Sequence, residues 1–172
     1  LDRSGRGNHG TLTNMDAGAW KGSLGGWSLD FDGTNDYVTV PNTTISLAFM
    51  HQTFTFGLSL WLKLNSTTTR QSICGSTNTS SERGVIALYE FGAGFGTSSL
   101  RVFLGSGTAV VRDVRSVNSV ITDTNWHHVV LSANGTGSAS FWAVDGVVLA
   151  NASTTEGTLG TGNATRNWSW GN

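Results

Sequence analysis

Residues 53–64 read TFTFGLSLWLKL, and their apolar side chains recur at every second position, at Phe54, Phe56, Leu58, Leu60, Leu62 and Leu64. Thr55, Gly57, Ser59, Trp61 and Lys63 fall between them. A period of two marks a strand with one buried face. Large side chains on one face of a strand need a second layer to cover them. The fold class predicted is therefore all-β, with two antiparallel sheets packed face to face as a sandwich.

Working outward, the alternation returns on both sides. Residues 126–133, WHHVVLSA, and 138–150 read as strands, and Asp145-Gly146 between two apolar runs is a strong short hairpin signal. Residues 85–91 and 100–104 form another strand pair across the glycine-rich linker 92–97, and 72–74 a short strand. Trp27, Leu29 and Phe31 alternate with polar residues up to a turn at 32–36, after which 37–40 resume. That pattern predicts a hairpin, ended by Pro41, which has no N–H to donate to a ladder. In 109–115, Val110, Arg112 and Val114 alternate against Val111, Asp113 and Arg115, which predicts one charged, solvated face, while NWSW at 167–170 reads as a terminal strand. One proline and no sustained 3.6-residue period argue against helices as major elements.

Composition narrows the function. Charged residues make up 12% of the chain and the formal net charge is -1, which excludes a nucleic-acid surface as the expected partner. No apolar run approaches the ~20 residues of a membrane span, so no membrane insertion is expected. Cys74 is the single cysteine, so no intrachain disulfide can form, and its apolar strand context reads as a small buried hydrophobe. Residues 1–172 read as one domain; the start at Leu1, without a visible signal peptide, predicts a piece of a larger polypeptide. Seven Asn-x-Ser/Thr sequons permit glycosylation in a secretory pathway.

Catalytic constellations are sparse. His127 and His128 are adjacent in a strand, point to opposite faces and read as structural. Glu90 stands alone in its strand, and Asp30 with Asp32 is the only i, i+2 carboxylate pair available to a glycoside hydrolase of this architecture. The loop 2–10 combines Asp2, Ser4, Asn8 and three glycines, which suits either a folded turn or a hard cation such as Ca²⁺. The aromatic residues Trp20, Phe95, Trp168 and Trp170 are the candidate ligand platforms at the rim, whereas Trp61, Trp126 and Trp142 lie in strands and read as packing residues.

Five blocks carry a family resemblance: DRSGRGNHGTLTN at 2–14, LDFDGTNDYVTVPN at 29–42, FTFGLSLWLKLN at 54–65, WHHVVLSANGTGSASFWAVDGVVL at 126–149 and GTGNATRNWSW at 160–170. In this order they resemble a laminin-G-like domain of the concanavalin A-like lectin/glucanase superfamily. The resemblance implies a two-sheet antiparallel jelly-roll β-sandwich without catalytic residues, with residues 54–64 as a central strand. It implies calcium as the one cofactor, with Asp2, Ser4 and Asn8 of the opening loop and the turn from Asp32 to Asp36 as the candidate metal ligands. The family's acidic closing strand and the aromatic strand before the opening loop have no counterpart here, so a neighbouring chain or a longer polypeptide is expected to complete the sheet.

The function expected is a non-catalytic, extracellular or particle-surface module that recognises glycans through Trp20, Phe95, Trp168 and Trp170. The alternative is a structural or adhesive domain of a virion or cell-surface assembly, whose partners are other protein chains. A β-glucan hydrolase using Asp30 ranks third.

Overall fold

The computed structural model describes residues 2–23, 25–41, 47–79, 81–92, 94 and 96–171. The strands are β1 (Thr11–Thr13), β2 (Trp20–Ser23), β3 (Gly26–Leu29), β4 (Tyr37–Val40), β5 (Thr55–Lys63), β6 (Gln71–Gly75) and β7 (Arg83–Gly92). They continue as β8 (Gly96–Ser106), β9 (Val110–Ser116), β10 (Trp126–Asn134), β11 (Thr136–Val144), β12 (Val147–Val148), β13 (Asn151–Glu156) and β14 (Trp168–Trp170). The four-residue helix α1 (Phe49–Gln52) precedes β5. All pairings are antiparallel. A large sheet runs β1-β4-β14-β6-β7-β8-β9-β13, a small sheet β12-β11-β10-β5, and β2-β3 stands apart as a two-stranded hairpin.

The alternation in β5 is strict, with Phe56, Leu58, Leu60 and Leu62 turned inward and Thr55, Gly57, Ser59, Trp61 and Lys63 exposed. Phe54 precedes the strand with a positive φ of 51° and is fully buried, its ring edge-on to Phe56 at 5.8 Å. Between the sheets, Trp142, Val129 and Leu131 of the small sheet meet Val85, Tyr89, Leu100, Val102 and Leu104 of the large one. Cys74 lies in this core, where burial pushes its thiol pKa up, as expected of an inert packing residue. The Asp145-Gly146 turn has φ of 50° and 83°, both positive as a type I′ hairpin requires.

Three expectations change, and one strand was not foreseen. β5 is not central: among the described residues it pairs only with β10, because β11 takes the other side of β10 and β12 extends the sheet beyond it. The turn 32–36 does not close a hairpin, since β3 pairs with β2, and β4 lies between β1 and β14. The chain reverses earlier, at Gly25 with φ of 78°, and Asp32 and Asp36 accept N–H bonds within the later turn, which leads into β4. Asn151–Glu156 adds a strand on β9 that no apolar alternation announces. The charged face of 109–115 is not solvated either: Asp113 and Arg101 form a largely buried pair, and Arg112, on the other face, is 8% exposed and donates to the carbonyls of Gly135 and Gly157.

Candidate ligand-binding cleft

The hairpin β2–β3 projects beside the end of the small sheet. Its base is closed by the Asp30 N–H donating to the Ala19 carbonyl at 2.8 Å, with Ala19 buried as the anchor. Lys21 lies opposite Ser28, whereas Trp20 opposite Leu29 and Trp27 opposite Gly22 share the other face. The Asn65 side-chain amide donates to the Phe31 carbonyl at 3.1 Å, tying the chain below the hairpin to the segment just past β5. A cleft of about 290 Å³ results, lined by Lys21, Gly22, Ser28, Leu29 and Asp30 on the hairpin side and by Lys63, Asn65 and Trp126 on the sheet side.

The lining suits a small polar ligand with an apolar face. Trp126 is half-buried and is the cross-strand partner of Lys63. Lys21 Nζ lies 3.9 Å from Asp30 Oδ2, with both side chains about half exposed, so water screens the pair and leaves both groups available for exchange. Lys63 forms no ion pair among the described residues. The volume sits at the lower end of the range for small-molecule sites.

His127, next to Trp126, fixes this end of the sheet. Its Nδ1 is 2.7 Å from Asp145 Oδ2 and its Nε2 is 3.1 Å from Asp123 Oδ1. Carboxylate oxygens only accept, so both contacts are satisfied when both ring nitrogens donate, which favours the imidazolium form. Burial alone would depress its pKa. The bonds and charges of Asp145 and Asp123 outweigh that effect and hold it above the ordinary imidazole value. Asp145 is lowered by its bond to His127 and by the His128 N–H, and Asp123 by the Asn125 N–H and then by His127.

The clamp therefore has a pH window. The raised His127 pKa stabilises the fold fully below the unfolded imidazole value of about 6.5, and that contribution is lost as pH rises through the folded value. The lowered carboxylates act above their ordinary values and are lost in acid. Melting should accordingly fall by about 2–4 °C more between about pH 6 and about pH 8 in the parent than in His127→Gln, a window that ends before the buried Cys74 thiol contributes. Equal slopes in the two proteins would contradict the clamp.

Of the four aromatic candidates, Trp20 is 51% exposed, but the register puts it on the hairpin face opposite Lys21 and Ser28, and it does not line the cleft. Trp168 is 7% exposed within the core, and Trp170 packs against it edge-on at 6.1 Å. The expectation of two rim aromatics is corrected there, because β14 inserts between β4 and β6 and carries both rings into the sandwich. Phe95 lies outside the described residues. Trp142 is a packing residue as expected, but Trp61 is 56% exposed and Trp126 lines the cleft. Position in the period carried the signal for Trp61, which falls with Ser59 and Lys63 on the polar side of β5. Nothing in the sequence placed Lys63 and Asn65 beside a hairpin more than thirty residues earlier.

The five candidate metal ligands do not form one site. Thr11 pairs with Thr39 and Thr13 with Tyr37, so the loop 2–10 and the turn 32–36 flank opposite ends of the β1–β4 ladder. Their carboxylates are also engaged as turn acceptors. Asp2 takes the Ser4 hydroxyl and the Ser4 and Asn8 N–H groups, which hold its pKa down to about 2. Asp32 takes the Thr34 and Asn35 N–H groups, and Asp36 takes the Asp32 N–H. Among the described residues no group of three or more His, Cys, Asp or Glu gathers to hold a metal ion. These residues do not fit a shared calcium site. Asp30 and Asp32, the hydrolase pair, are likewise separated in role, one facing Lys21 and the other serving its turn.

A family model, Laminin_G_3, described as the concanavalin A-like lectin/glucanases superfamily, matches residues 32–172. The chain belongs to this superfamily. The hairpin wall of the cleft, with Lys21 and Asp30, precedes the matched residues, so the cleft of this concanavalin A-like chain joins the family's sandwich to a segment outside it. No curated protein matches this superfamily member. Among solved structures it is similar to Ruminococcus gnavus IT-sialidase CBM40, with a TM-score of 0.45 and 10% sequence identity over 80% of this chain and 89% of that one. No helix among the described residues of this concanavalin A-like protein is long and apolar enough to cross a membrane.

Proposed function

We propose that this chain is a non-catalytic carbohydrate-binding module, working in an extracellular or surface setting, that seats a sugar ring on Trp126 in the cleft. The observation that carries this reading is the joint lining of one small cleft by an indole, a carboxylate, an amide and two lysines. A pyranose has an apolar C–H face and hydroxyl edges. The first stacks on an indole, and the second need donors and acceptors such as Asp30, Asn65 and the lysines supply.

A glycan array read with and without EDTA tests it. Binding is expected to persist in EDTA, and Trp126→Ala to weaken it by about tenfold or more, as removal of a stacking anchor should. Trp126→Phe, which keeps a ring, should retain part of the affinity. Silence across the array, or unchanged binding by Trp126→Ala, would refute the proposal.

A second reading, an adhesive or structural surface module, is favoured by the exposure of Trp27 at 76% beside Trp20 on the outer hairpin face. Self-association abolished by Trp27→Ser, with no glycan bound, would decide for it.

A further inference from the structure

We propose that the solvent face of the small sheet carries a second aromatic subsite at Trp61, so that the module binds a linear saccharide chain of two or more rings. The inference rests on the glycan-binding reading of the cleft and names its ligand class. The β5–β10 register pairs Lys63 with Trp126 and, two residues further along each strand, Trp61 with His128. Alternation puts all four on the same face. The diagonal from Trp126 to Trp61 therefore spans about 7–8 Å between backbones, a single step along the sheet away from the cleft.

Trp61 is exposed yet fixed. Its ring lies against the His128 imidazole at 5.3 Å between centroids with a 41° tilt, and His128 Nε2 is 2.9 Å from the Ser59 hydroxyl. An indole held this way loses little rotamer freedom when a ligand arrives, which favours binding. Gly57, Ser59 and Ser132 on the same face are too small to screen it.

The surroundings fit a sugar ring. The Ser59 hydroxyl, the His128 imidazole and the Lys63 ammonium border the Trp61 indole, and Val130, opposite Ser59 on the same face, extends its apolar surface. That alternation of an apolar plate with polar edges matches the two-sided chemistry of a sugar ring. The hairpin lines the cleft across from Trp126, and the register continues the same face of the sheet from Trp126 and Lys63 to Trp61, the path a longer chain would follow.

The test uses an array of matched mono-, di-, tri- and tetrasaccharides from the gluco-, xylo- and N-acetylglucosamine series, with titration calorimetry on the series that binds. Affinity is expected to rise about fivefold or more from mono- to trisaccharide, and Trp61→Ala to bring that ratio close to one. Trp61→Phe should restore part of the rise. Equal affinity for all lengths in the parent, or a ratio unaltered by Trp61→Ala, would overturn the second subsite while leaving the cleft reading intact. Binding of no saccharide at any length would overturn both.

Discussion

Trp142→Ala is expected to lower the unfolding free energy by about 3–5 kcal/mol, among the largest single losses available in this chain. Trp142 is fully buried on β11, opposite Leu131 of β10, and projects from the small sheet into the core. Its indole Nε1 donates to the Val114 carbonyl on β9 at 3.3 Å, so one side chain both fills the gap and bonds the two layers. Truncation removes the transfer free energy of the ring and opens a cavity that rigid sheets on either side cannot close. Trp142→Phe separates the contributions. It keeps most of the volume and loses the donor, and should cost about 1–3 kcal/mol. Urea unfolding of the two variants measures both, and a loss below about 1 kcal/mol for Trp142→Ala would show that the sandwich collapses around the site.

The period-two pattern of β5 and the Asp145-Gly146 turn were legible because each depends on neighbours in sequence: alternation needs a few residues, and a type I′ turn needs two. β13 was not legible. Its segment, NASTTE, has no apolar face, and it is ordered by pairing with β9, some forty residues earlier. The two tryptophans of β14 were visible, but their burial depends on β4 and β6 arriving on both sides. The cleft was half legible. Trp61 and Lys63 stood on the polar parity of β5, and Asp30 was noted as a carboxylate, yet only the packing of the β2–β3 hairpin beside the sheet end brings Lys21 and Asp30 to Trp126. His127 reads as structural in the sequence and is so in the fold, but its Asp145 partner reaches it from the next hairpin, eighteen residues later.

The same dependence on distant partners governs Glu90, for which Glu90→Gln is expected to cost about 3–5 kcal/mol. In sequence Glu90 stands alone; in the fold it is fully buried on the side of β7 that turns away from the small sheet. Its Oε1 accepts from Arg70 Nη2 at 3.1 Å and from Arg101 Nη1 at 3.2 Å, and its Oε2 lies 3.1 Å from Arg70 Nε. Arg101 also grips Asp113 with bonds of 2.9 and 2.6 Å, and lies 4.9 Å over the Phe103 ring. Glutamine keeps the volume but removes the charge, and its NH₂ group faces guanidinium donors or gives up an acceptor. Arg101 would remain buried with one carboxylate where it had two. Arg70 would suffer less, since its side chain is 47% exposed and water can take the lost partner's place. Asp113→Asn, at a carboxylate 16% exposed, should therefore cost less than Glu90→Gln. The decisive comparison is the triple variant Glu90→Leu, Arg101→Met and Asp113→Asn, which continues the apolar cluster of Ile86, Leu88 and Phe103 and leaves no unpaired carboxylate at Asp113. Because burying these ions consumes most of their mutual attraction, replacing all three should recover much of the single-variant loss. A triple variant as unstable as Glu90→Gln would instead mean that the ion cluster is a net source of stability, held by geometry that apolar side chains cannot reproduce.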